Sequence, residues 1–197
     1  MVEVTRRRAI EDVASDLFRE HGYAGTSIRD IARALSVQGA SLYAHVTSKE
    51  DVLWAIVDRA ATRFEAAADL AERDAAERRP DDPAEALAAL VRAHVAVLTA
   101  DVDEAGVFVN EWRALGPVRR AEILDRRDAY QRRFRSHVEA GIAIGAFAMT
   151  DPAIAASTIL SAVNGVAAWY DPDGRLPAGR IADHLVDLCM RMLEASR

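Results

Sequence analysis

Lysine and cysteine each occur once in these 197 residues, and proline and glycine are sparse. The lone Cys189 excludes an intrachain disulfide framework and any Cys-x-x-Cys metal cluster, as suits a reducing cytoplasm. Gly-x-Ser-x-Gly, a Walker loop, Gly-x-Gly-x-x-Gly and His-Glu-x-x-His are all missing, and the five histidines (His21, His45, His94, His137, His184) stand scattered. No catalytic residue, metal or cofactor is therefore expected. The first ten residues carry Arg6, Arg7 and Arg8 and run into Glu11 and Asp12 without an apolar core or cleavage site, so no export signal is read and a cytoplasmic location is expected. Period-two alternation is almost absent, which argues against sheet. Charge is absent from residues 152 to 170, a stretch long enough to raise the question of a membrane span. That reading fails on composition: the run opens with Pro152, is dominated by Ala, and includes Ser157, Thr158, Ser161 and Asn164. A helix apolar on every side is otherwise buried in a core or against a second subunit.

What is present is enough for a packed protein: half the residues are hydrophobic and 28% are charged. The formal net charge of −6 hides an asymmetry. Residues 1–49 hold seven basic against six acidic side chains, and the remainder holds 18 against 25. A near-neutral head can still bind a polyanion when its basic groups share one face. Helical periodicity is plain in Ile10, Val13, Ala14, Leu17 and Phe18, with His21-Gly22 stopping that helix. A short second helix carries Ile28, Ile31, Ala32 and Leu35, and a third is predicted from Gln38 to His45. The fourth opens at Ser48, where Ser48-Lys49-Glu50-Asp51 reads as a capping box, and reaches at least Arg73. Further helices are predicted at 84–100, 102–115, 117–145, 152–170 and 178–195, giving an all-α chain of about nine helices.

Two short helices a few residues apart, with a preceding helix to supply a core, make helix-turn-helix geometry, which sets the second helix in the DNA major groove. Spacing alone leaves a plain scaffold equally open; side-chain chemistry shifts the balance. The third helix offers Gln38, Gly39, Ala40, Ser41, Tyr43, Ala44 and His45 outward and buries Leu42, a surface of small polar and aromatic groups. Gln pairs with adenine through two hydrogen bonds, Ser reaches bases or phosphate, and Ala meets thymine methyls. Tyr43, His45 and Lys49 suit backbone phosphates; the alternatives are a half-buried ring for Tyr43 and a helix cap for His45.

The string Gly25-Thr26-Ser27-Ile28-Arg29-Asp30-Ile31-Ala32, then Val37, then Leu42-Tyr43-Ala44-His45-Val46-Thr47-Ser48-Lys49-Glu50, resembles the tetracycline-repressor (TetR) family across residues 6 to 55. The resemblance implies a helix-turn-helix domain at 1–47 fused to a ligand-binding and dimerisation body at 48–197. It also implies a regulator, usually a repressor, that binds pseudo-palindromic double-stranded DNA operators as a homodimer and leaves when a small molecule fills the body. By this similarity Thr26, Ser27, Tyr43, His45 and Lys49 match phosphate-contacting positions, while Arg29, Gln38 and Ser41 match positions that read bases. The sequence departs from the family pattern at Leu35-Ser36, where Ala-Gly is usual, so Ser36 is expected to take a positive φ at a cost of about 1 kcal/mol.

In the body, Phe108, Asn110, Trp112 and Arg113, with Phe134 on the following helix, are candidates for an apolar pocket with polar anchors; ordinary core is the alternative. The next helix carries Arg119, Arg120, Arg126, Arg127, Arg132, Arg133 and Arg135 among Glu122, Asp125 and Asp128. It reads either as an ion-paired solvated face or as an anchor for phosphates. Together with the Trp169-Tyr170 element, these features loosely resemble regulators of fatty-acid, phenylacetate or steroid-ring breakdown, which implies an acyl-coenzyme A effector. A plain hydrophobic effector is the alternative. Ile159, Val163 and Val166, then Leu185, Leu188 and Met192, have spacing suited to an intersubunit helical bundle. The competing reading of the whole chain is a helical adaptor for protein partners.

Overall fold

A computed structural model describes residues 2–148 and 150–194. Among them there is no strand. The helices are α1 (Val2–Gly25), α2 (Ile28–Ala34), α3 (Gly39–Leu42), α4 (Lys49–Arg78), α5 (Pro83–Ala100), α6 (Val102–Asn110), α7 (Pro117–Ala143), α8 (Pro152–Asn164), α9 (Val166–Trp169) and α10 (Ala178–Leu193). A 3-10 turn, Trp112–Ala114, joins α6 to α7. Eight of the helices have seven residues or more; α3 and α9 are single turns.

Local chemistry explains most boundaries. Pro83, Pro117 and Pro152 each open a helix, where the missing N–H costs nothing. Asp151 caps α8 by accepting from the N–H groups of Ala153 and Ile154, and Asp101 caps α6 through Glu104 N–H. Gly22, at φ 73°, breaks the helical path near the end of α1. The third helix is shorter than its expected Gln38–His45 span because the Leu42 carbonyl accepts from both His45 and Val46 N–H, tightening the chain into a turn. The long uncharged run divides at Gly165 into α8 and α9.

The chain forms two compact units. The first takes residues up to Thr62 together with Asp101–Asp125; the second takes Arg63–Ala100 and the residues from Arg126 on. Helices α4 and α7 thus each contribute to both. The boundary expected at 47/48 does not follow this partition, because α6 and the start of α7 cluster with the head. In the first unit Ile10, Ala14, Phe18, Ile31, Leu42, Val46, Leu53 and Ile56 form the core, with Phe18 edge-on to Tyr23 at 5.3 Å. In the second, α5 packs on α8, α9 and α10, and Phe64, Leu87, Leu90, Phe134, Ile159 and Val163 are fully enclosed.

Candidate functional site

The head is assembled by caps. Ser27 starts α2: its hydroxyl accepts from Asp30 N–H at 3.2 Å, and Asp30 accepts from Ser27 N–H at 2.9 Å, a reciprocal pair that the sequence reading overlooked. Hydrogen bonds from the Ser27 hydroxyl and N–H hold the Asp30 carboxyl below the usual carboxylate range. At the other end of α2, Val37 N–H donates to Ala32 and Ser36 N–H to Arg33, the two bonds of a Schellman motif. That motif places Ser36 at φ 56°, as the sequence predicts. Ser48 caps α4 through Asp51 N–H, and Asp51 accepts from Thr47 N–H, one residue short of the box the sequence suggested.

Two residues expected to grip phosphate turn inward. Thr26 is buried, and its hydroxyl donates to the Leu17 and Gly22 carbonyls, so it ties the bend after α1 rather than facing DNA. Lys49 places its ammonium over the Tyr23 ring at 4.0 Å and donates to the Tyr23 and Thr26 carbonyls, both at 2.7 Å. An ammonium has three donors, so at most one is left for a phosphate. Partial burial moves the Lys49 pKa below its ordinary value. Ser27, Arg29, Gln38, Ser41 and Tyr43 are exposed, and Gln38 precedes α3 with its side chain free of any capping bond. Gly39 and His45 are half-buried, and the His45 Nδ1 is enclosed without a hydrogen-bond partner.

Behind the head lie ionic groups that sequence reasoning missed. Arg59 of α4 closes on Glu11 of α1 and on Glu104 of α6, the latter at 2.6 Å; both carboxylates are buried. Arg8 reaches the same Glu104 at 3.6 Å, and Arg7 reaches Glu11 at 3.1 Å. A second clamp joins the start of α4 to the start of α7. Gly116 N–H donates to Glu50 at 3.1 Å, and Arg119 pairs with Asp51 at 3.2 Å. A Cβ on Gly116 would stand 3.0 Å from the Glu50 carboxylate, so this approach suits glycine.

Of the expected pocket residues, Phe108 and Trp112 are buried in the first unit, Arg113 lies over the Trp112 ring at 4.5 Å, and Asn110 is exposed. Phe134 belongs to the second unit and is fully enclosed. The five are thus divided between the units. The Arg-rich helix is largely ion-paired: Arg126 holds Glu65 through two bonds of 2.8 and 2.7 Å, Arg133 binds Glu72 at 2.9 Å and also Asp69, and Arg135 binds Glu139 at 2.7 Å. Arg120 and Arg132 are exposed.

The polar centre of the second unit is His94. Its Nε2–H donates to Asn164 Oδ1 at 3.2 Å, and its Nδ1 accepts from the Tyr130 hydroxyl at 3.1 Å. The rings of Phe64, Tyr130 and Phe134 surround it at 4.7, 5.7 and 6.4 Å. Burial, with Arg127 adding a smaller push against the Asn164 hydrogen bond, lowers the His94 pKa to about 4. Burial also raises that of Tyr130.

The expected dimer residues need correction. Ile159, Val163 and Val166 are fully buried within the protomer, because the inward face of α8 and α9 builds the core of the second unit. Leu188 and Met192 are exposed, at 62% and 46%, and Leu185 is half-buried. On α8 the outward face is Ile154, Ser157, Thr158 and Ser161, and only a third of the uncharged Pro152–Trp169 run is covered.

With this geometry in hand, the comparisons are specific. A model of bacterial regulatory proteins of the tetR family matches residues 10–56, and one of the tetracyclin repressor-like C-terminal domain matches residues 80–193. The transcriptional repressor ComR of Escherichia coli K12 is 41% identical over 64 residues, 32% of this chain and 30% of that protein, so the likeness spans about a third of the relative. The TetR-family regulator PfmR of Thermus thermophilus superposes with a TM-score of 0.81 at 31% identity, covering 95% of this chain and 99% of that one. AibR, in a structure with isovaleryl coenzyme A and operator DNA, gives 0.72 at 31% identity over 93% and 97%.

Proposed function

Because the chain belongs to the tetracycline-repressor family of transcriptional regulators, we propose that it works as a homodimer that binds a pseudo-palindromic operator and is released from it by an acyl-coenzyme A thioester. The observation that carries the DNA reading is the uncovered surface on and around α2 and α3. There Arg29, Gln38, Ser41 and Tyr43 stand exposed on a frame fixed by the Ser27–Asp30 box and the Schellman turn. Gln38, Ser41 and Arg29 read bases; Tyr43 and Ser27 hold phosphate. Lys49 and Thr26 act mainly through the frame. The partner protomer lies against the outward face of α8 and α10, centred on Ile154, Leu188 and Met192, which would cover the uncharged residues left open.

Support for the effector class comes from AibR, whose structure holds isovaleryl coenzyme A and operator DNA together. Ligand and DNA are therefore not mutually exclusive in that protein, and coupling here is a ratio of affinities. A hundredfold loss of operator affinity requires the ligand to favour the released state by about 2.7 kcal/mol, with DNA weakening the ligand equally. The two ionic clamps give such a preference a route to the head, because α6 and the start of α7 are held to α1 and α4. Titrating the operator complex with short, long, aromatic and steroidal acyl-coenzyme A compounds, with free coenzyme A and the free acids as controls, tests the reading. Release by one thioester and not by its acid is expected. Equal release by the acids would replace the effector class with a plain hydrophobic compound.

A further inference from the structure

Lys49 is the single lysine among 25 basic side chains, so an amine-directed reagent finds one side chain to attack, and it lies in the reading head. Arginine offers no such target, because its guanidinium stays protonated. Two features of the setting favour the neutral, nucleophilic amine. Lys49 is the first residue of α4, a 30-residue helix whose N-terminal peptide dipoles disfavour a cation. Partial burial acts in the same direction. The side chain is only half-buried, so a reagent can reach the nitrogen once it leaves its carbonyl partners.

What the ammonium holds together decides the consequence of losing it. From the start of α4 it donates to Tyr23, near the end of α1, and to Thr26, the residue before the N-cap of α2, both at 2.7 Å. It also lies 4.0 Å from the centre of the Tyr23 ring. Three helices are thus pinned by one nitrogen. An acylated nitrogen has one N–H and no charge, so it keeps at most one of the two bonds and loses the attraction to the ring. Acylation also removes the one unit by which basic groups exceed acidic ones in residues 1–49, seven against six. We infer that Lys49 is an acylation site: an activated acyl group, as in a thioester or an acyl phosphate, passes to its nitrogen and the head loses its operator. The neutral amine attacks the acyl carbon, and a C–N bond forms as the C–S or C–O bond breaks. The leaving thiolate or phosphate carries off the bonding pair and solvent takes the proton, so nothing is oxidised or reduced. This inference rests on the reading of the head as an operator-binding surface and needs no pocket in the body.

The test treats the full-length protein with acetyl-coenzyme A and, separately, with acetyl phosphate, beside Nα-acetyl-lysine amide as the reference amine, and then removes the reagents by gel filtration. Peptide mass mapping should place an acetyl group on Lys49, with at least one donor reacting no more slowly than it does with the reference amine. Affinity for the footprinted operator should then fall at least tenfold, the loss of one charge-assisted hydrogen bond, with helix content retained. The loss should persist after gel filtration, whereas an effector held in the body would wash out. Lys49→Arg, which keeps the charge, should lose no affinity on the same treatment. Lys49→Gln should bind like the acetylated protein, and the acetylated wild type decides the matter should that variant fold poorly. Slower acetylation than the reference amine by both donors, or an acetylated protein of full operator affinity, overturns the site. Untreated wild type that binds no DNA removes the operator reading instead.

Discussion

Buried polarity takes two forms in this molecule. In the unit that holds the reading head it is charged, with Glu11 and Glu104 closing on Arg59 across α1, α4 and α6. In the other unit it is neutral, a relay through His94 inside a ring of aromatic groups. A buried ion pair binds its elements strongly only while every member is present, because a single deletion leaves a charge in a poor dielectric. A neutral relay tolerates exchange of partners at small cost, since each hydrogen bond is worth about 1 kcal/mol net. The first arrangement suits a joint that must transmit position; the second fixes the packing of α5, α7 and α8 without burying a charge.

The comparison can be broken most forcefully on α8 and α10. Val163→Arg places an unpaired charge in the closed core of the second unit, costing several kcal/mol, and should leave little folded protein. Leu188→Arg, on the outward face, should leave helix content intact and convert a dimer to folded monomers in sedimentation. A Leu188→Arg protein that remains dimeric would move the interface elsewhere. In the first unit, Arg59→Met leaves two buried carboxylates facing each other and should lower the free energy of unfolding in urea by roughly 3–5 kcal/mol. Adding Glu11→Leu and Glu104→Leu should recover most of that loss; failure to recover would show that Arg59 acts by packing instead.

The second unit should answer to pH. The His94 pKa is near 4 when folded and near 6.5 when unfolded, so between these values the unfolded chain binds more protons. Stability is therefore full above pH 6.5 and falls as the pH drops toward 4, by on the order of 2 kcal/mol between pH 7 and pH 5. Urea titrations of wild type and His94→Phe at the two pH values isolate the contribution, since only the variant should lose it. The smallest effect belongs to the head: Ser36→Gly relieves a left-handed serine and should stabilise by up to about 1 kcal/mol without changing DNA affinity.

Much of this was legible in the sequence. Pro83, Pro117, Pro152 and Ser48 mark helix starts through chemistry that needs no tertiary context, and Ser36 betrays its positive φ because the turn itself demands one. The face of α8 was not legible. A run without charge looks the same from either side, so spacing alone points Ile159, Val163 and Val166 toward a second subunit although they close the protomer core. The inward bonds of Thr26 and Lys49 were not legible for a related reason: whether a donor meets a main-chain carbonyl depends on where α1 ends in space. The Arg59 node joins residues 48 and 45 positions apart, and the His94 relay joins residues 36 and 70 apart, with no local spacing to announce either.

The central claim is that the surface around α2 and α3 binds an operator, and genomic footprinting followed by salt titration on the enriched site tests it most directly. The expected result is a pseudo-palindromic footprint whose affinity falls with a log-log salt slope of about −4 or steeper, from at least about two phosphate contacts per subunit. On that site Tyr43→Phe should weaken binding to all DNA alike, while Gln38→Ala should chiefly relax base preference. No enriched site, or binding flat in salt and indifferent to Gln38 and Tyr43, would contradict the account.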